Sequence, residues 1–169
     1  MFDPKQHYEN SSLREVIVEH LFVGAALQCL WNAGITDAEI LRSEFDGFGY
    51  DLVVTWGELV RHVQLKSGVE LKKVGISILL AEKPSGCVIF IKLSDRLELG
   101  PFHWFGDRAG APLPQIDHFP STKRTTPNSE GSKPSRRRHY DVPANRFQRV
   151  ETLQKLVELL LGHPLEQRT

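Results

Sequence analysis

Apolar residues from Val16 to Leu30 recur at helical spacing, after Ser12-Leu13-Arg14-Glu15, which reads as a capping box, and the pattern ends near Gly34. A short extended segment, Ile40 to Glu44, follows as the first strand. The Gly-rich run Asp46-Gly47-Phe48-Gly49-Tyr50-Asp51 then leads into Leu52 to Trp56, a β-branched and aromatic strand. Gly57-Glu58 supplies turn chemistry, and Leu59 to Ser67 returns as the second strand of a hairpin. Side chains alternate along a strand, so His62, Gln64 and Lys66 share one face while Val63 and Leu65 take the other.

Leu71 to Lys83 spaces Val74, Ile78, Leu79 and Ala81 as a helix that stops before Pro84 and Gly86, although Val74, Ile76 and Ile78 are β-branched and also suit a strand. Cys87 to Leu93 is nearly continuous in apolar residues, as in a strand buried on both faces. A crossover between Leu65 and Val88 makes those two strands parallel. Leu99 to Gly106 is a strand or an aromatic loop, in which Phe102, Trp104 and Phe105 either stack bases or cover an apolar sheet edge. From Asn145 onward Phe147, Val150, Leu153, Leu156, Val157, Leu160 and Leu161 recur at helical spacing until Gly162 and Pro164. That final helix docks on the core or pairs with a second subunit in a homodimer. The expected organisation is an α/β core over residues 1–118, a basic flexible loop over 119–144 and a C-terminal helix over 145–169.

Composition changes this picture little: 169 residues suit one globular domain. No run of ~18 apolar residues and no signal-peptide pattern occurs, so the expectation is a cytoplasmic protein with no membrane partner. Cys29 and Cys87 sit in apolar patterns and are expected to be buried and reduced. The histidines lack ligand spacing, and only His62 falls near the chemistry discussed next. No Gly-rich phosphate loop of either familiar type supports a small-molecule enzyme.

Charge is more informative in its distribution than in its zero net value. Residues 1–118 carry a net −5 and residues 119–169 a net +5. The basic half centres on Lys123, Arg124, Lys133, Arg136, Arg137 and Arg138, set among Ser, Thr, Pro and Gly, a composition that suits a mobile phosphate clamp or a solvated connector.

The hairpin carries the candidate chemistry. Asp51 heads one strand and Gln64-Leu65-Lys66 lies on the next, so a carboxylate, an amide oxygen and an ammonium converge if the register places them together. Asp51 and Gln64 offer hard oxygen ligands suited to Mg²⁺ or Mn²⁺. Lys66 offers a point charge for an attacking water or a transition-state phosphate.

Asp51 with Gln64-Leu65-Lys66 resembles the PD-(D/E)XK nuclease superfamily in the Gln-x-Lys form found in some of its branches. The resemblance implies a restriction-endonuclease-like fold, a mixed central sheet flanked by helices. It also implies a Mg²⁺- or Mn²⁺-dependent nuclease acting on DNA, in restriction or phage defence. The family often places a third acid on the helix before the sheet, and Glu19 matches that place, Glu15 having a local duty in the cap. Two departures stand out: Tyr50 where proline is common, and Gln64 where the second acid belongs. The second removes a negative charge from the metal site, which leaves room for a catalytically inactive module that binds nucleic acid or a protein partner.

Overall fold

The computed structural model describes residue 5 and residues 9–45, 47–127 and 129–165; Asp46 and the residues at either end of the chain lie outside the described residues. The elements are α1 (Ser11–Asn32), β1 (Glu39–Arg42), β2 (Leu52–Trp56), β3 (Leu59–Gly68), β4 (Lys73–Ser77), α2 (Ile78–Ala81), β5 (Gly86–Leu93) and β6 (Leu99–Gly106). β7 (Ser121–Lys123), β8 (Ser135–Pro143), a 3-10 turn (Ala144–Arg146), β9 (Gln148–Val150) and α3 (Leu153–Leu161) complete the chain.

The fold is mixed α/β. Six strands form one sheet in the order β1-β2-β3-β5-β6-β9, and a smaller sheet has the order β4-β8-β7. Within the larger sheet β3 and β5 are parallel, with Val63 opposite Cys87, and the other pairs are antiparallel. The hairpin takes the expected register, Leu52 opposite Val63 and Trp56 opposite Leu59.

Strand β5 shows why its sequence is apolar without alternation. Cys87, Ile89 and Ile91 pack with Val18, Phe22 and Ala26 of α1 and with Leu156 and Leu160 of α3. Val88 and Phe90 face the other way, against Val74 and Ile76 of β4 and Val142 of β8. Helices therefore cover one face of the large sheet and the small sheet covers the other. The expectation of helices as the flanking layers holds on one side. Burial at Cys87 pushes its thiol up to about 12, and both cysteines are free, as expected for reduced residues.

Four differences from the sequence reading have physical causes. The capping box at Ser12 does not form, because an i to i−4 bond from Glu9 N–H to Lys5 C=O lies upstream and Asn10 takes the N-cap place, leaving Ser12 and Glu15 inside the helix. The segment 71–83 is a strand followed by one helical turn, since Val74 and Ile76 alternate into the second cluster and Gly75 lies against Thr122 too closely for a Cβ. The final helix begins at Leu153, not Asn145: Phe147 and Val150 enter opposite clusters, on either face of the large sheet, as a strand segment requires. Its apolar face, Leu156, Val157, Leu160 and Leu161, is buried in the core, so it is consumed before any second subunit arrives.

The fourth concerns 119–144. Both ends of this basic segment are strands of the small sheet, and Asp141 joins its three members by accepting from Lys73 Nζ at 2.5 Å and Thr122 Oγ1 at 2.7 Å. Among the described residues no helix is long and apolar enough to cross a membrane. Because β5 is buried on both faces, Ile89→Ala is expected to cost about 2–5 kcal/mol. Leu41→Ala on the exposed edge strand should stay within about 0.5 kcal/mol, both read as shifts of the urea midpoint at constant slope.

Candidate active site

Asp51 sits one residue before β2 and extends the hairpin ladder, its N–H donating to Val63 C=O at 2.9 Å. Its Oδ2 accepts the Leu65 N–H at 2.7 Å, which fixes the carboxylate at the open end of the hairpin. Beside it lies a cleft of about 390 Å³, lined by Ser12, Glu15 and Glu19 from α1 and by Asp51, Lys66 and Ser67 from the hairpin.

Three of the four expected site residues thus meet in one cleft: Glu19, Asp51 and Lys66. Glu19 is half-buried there and is paired with the Arg42 guanidinium at the end of β1. Glu15 lines the same cleft one helical turn earlier, since the capping box that would have occupied it does not form. Its spacing from Glu19 was the available signal; the misplaced cap hid it. Arg42 gave no signal in the sequence, because its role depends on β1 folding back beside α1.

Gln64 stands apart. It is in register with Val88, on the face turned to the small sheet, and it does not line the cleft. It is only 5 % exposed, and its Oε1 is buried without a hydrogen-bond partner. A buried acceptor in that state costs on the order of 1–3 kcal/mol, which a water or a cation would recover. Among the described residues no three His, Cys, Asp or Glu side chains stand close enough together to hold a metal ion. The carboxylates of the cleft nevertheless fit a hard divalent cation, whose remaining ligands would be water or substrate phosphate.

Phe102, Trp104 and Phe105 do not form a stacking surface: all three are buried, the first two under the helices and the third against Phe147 at 5.4 Å. The basic residues gather elsewhere as well. Lys123, Arg124 and Arg136 line a separate groove of about 570 Å³ on the β7–β8 arm, while Lys133 and Arg137 are exposed on the same arm. Arg138, in a left-handed conformation with φ of 59°, is engaged by Glu82 at 2.5 Å.

His62, on the face shared with Gln64 and Lys66, meets the Tyr50 ring edge-on at 4.7 Å between centroids. Burial, and then the Lys83 ammonium, hold its imidazole below the ordinary 6.5. No family model, curated protein or solved structure matches the chain.

The folded chain binds the His62 proton less readily than the unfolded chain. Its contribution to stability is therefore complete above pH 6.5 and is lost as the pH falls below that value toward the lowered folded one. His103, held down by burial and by Arg149 and Lys92, acts in the same direction. Urea midpoints of the wild type should fall between about pH 7 and about pH 5, the span in which histidine titrates, and those of His62→Gln should fall less.

Proposed function

We propose that the protein is a nuclease of restriction-endonuclease-like fold that hydrolyses phosphodiester bonds in DNA with Mg²⁺ or Mn²⁺. The observation that carries this reading is the cleft into which α1, the start of β2 and the end of β3 bring Glu19, Asp51 and Lys66 together. These residues are remote from one another in sequence, and they are the ones that the resemblance to PD-(D/E)XK nucleases singles out. Asp51 would hold the cation with Glu19, and water or substrate phosphate would complete its shell, since Gln64 lies outside the cleft. A bound cation of this kind stabilises charge on the phosphate and lowers the pKa of a ligated water. The exposed Lys66 ammonium orients the attacking water and offsets developing negative charge. The Leu65 N–H holds the Asp51 carboxylate in place, so the acid is positioned before substrate arrives.

One observation favours a second reading, a non-catalytic module that binds nucleic acid or a protein partner: Glu19 is already satisfied by Arg42, and among the described residues no three ligand side chains stand close enough to hold a metal ion. Plasmid nicking with Mg²⁺ or Mn²⁺ separates the two. Under the nuclease reading Asp51→Ala and Lys66→Ala lose about 10²- to 10⁴-fold in rate, and equal nicking by all three proteins discards the site. The second reading predicts no nicking by any of them, with DNA binding that needs no metal.

In either case the β7–β8 arm serves as the phosphate contact. Arg136→Ala and Arg137→Ala should each reduce the slope of log affinity against log salt for a DNA duplex by roughly one. Arg138→Ala should change it less, because Glu82 already engages that guanidinium.

A further inference from the structure

The turn that delivers Asp51 to the cleft carries a row of aromatic rings, two of them exposed and the third, Tyr50, half-buried against the second hydrophobic cluster. Phe45 is 65 % exposed and Phe48 46 % exposed. Their ring centroids are 6.0 Å apart, and Phe48 is stacked on Tyr50 at 6.4 Å with 22° between the planes. Tyr50 is anchored at the inner end by His62, and the Lys83 ammonium lies 5.6 Å from the Phe48 ring and 5.5 Å from the Tyr50 ring.

The row is held by the backbone rather than by burial. The Phe45 C=O accepts from Ser43 Oγ and from Gly47 N–H, each at 2.9 Å. Gly49, at φ +78°, lies so close to the end of β4 that a Cβ there would stand 2.7 Å from Ser77 Cβ. Single exposed apolar residues are ordinary on a protein surface. Consecutive rings in mutual contact, with a cation laid across two of them, present flat π-faces and a phosphate-binding charge together, the combination that binds unpaired bases.

We propose that Phe45, Phe48 and Tyr50, with Lys83, form a stacking platform for unpaired bases of single-stranded nucleic acid, leading into the Asp51 cleft. The inference rests on reading that cleft as a nucleic-acid site. Duplex bases are stacked on one another and cannot lie on the rings, so the platform selects single strands or frayed ends. Tyr50 adjoins Asp51 in the chain, so the inner end of the row stands next to the residue that opens the cleft. Glu44, exposed beside Phe45, carries the opposite charge, which places the phosphate path on the Lys83 side of the rings.

The test is fluorescence anisotropy in EDTA with a labelled oligothymidylate of about 12 nucleotides, within the span of one stacking groove, and with a mixed-sequence duplex of the same length. Cleavage plays no part in this readout, so its outcome is separate from that of the nicking assay. Phe45→Ala and Phe48→Ala are each expected to weaken oligothymidylate binding about fivefold to a hundredfold. Duplex binding should be unchanged, and Phe48→Tyr should restore wild-type affinity. Circular dichroism confirms that these exposed substitutions leave the fold intact. Unchanged oligothymidylate affinity in both alanine variants, or equal losses on single strand and duplex, overturns the proposal. So does a change in oligomeric state on size exclusion with unchanged oligothymidylate binding, which would make the patch a protein interface.

Discussion

The parallel pairing of β3 with β5 is the constraint on which the rest of the structure depends. A parallel neighbour cannot be reached by a tight turn, so the chain must leave the sheet after Gly68 and return at Gly86. It makes that excursion on one face only, as β4 and the single turn α2, and so lays down the first strand of the second sheet. The opposite face is left for α1 and α3. Strand β5, flanked on both sides, becomes the shared wall of two hydrophobic clusters. The open end of the β2–β3 hairpin, where β3 runs past its partner, is where the cleft forms.

The polar groups buried around this wall differ in how well they are satisfied. Arg61 on β3 is fully buried, with its guanidinium 5.2 Å from the Trp104 ring centroid and two nitrogens donating to the Asp107 C=O at 3.3 Å. Burial lowers its pKa, and its Nε has no partner. Asp141, by contrast, is fully used in tying the small sheet together. Gln64 belongs with Arg61: each is a buried polar side chain that leaves one of its atoms without a hydrogen-bond partner.

Much of this was legible in the sequence where one period dominated. The hairpin, the double-sided burial of 87–93 and the meeting of Asp51 with Lys66 followed from alternation and from turn chemistry at Gly57-Glu58. Residues 71–83 and 145–152 were misread because a short strand with apolar residues two or three apart also fits a helix. What decided each was a partner distant in sequence, β8 for the first and β6 for the second. The same holds for the aromatic residues. Phe102, Trp104 and Phe105 suited either base stacking or cover for an apolar sheet until the sheet order placed them inside, whereas Phe45 and Phe48, in a Gly-rich turn, carried no periodic signal at all. Glu15 was hidden by a capping motif that does not form, because Asn10 takes the N-cap place.

The crossover strand also sets an order of events. Lys73 and Asp141, which close the small sheet, stand 68 residues apart in the chain, and the partner of β4 ends at Pro143. While the polypeptide is being synthesised, β4 emerges with an unpaired edge long before β8 exists to pair with it. Five strands of the large sheet, through β6, are complete by Gly106, while its edge strand β9 follows β8 in the chain. Both layers are thus sealed only by the last part of the chain, and the nascent polypeptide passes through an interval in which an unpaired strand edge is open to association with its neighbours.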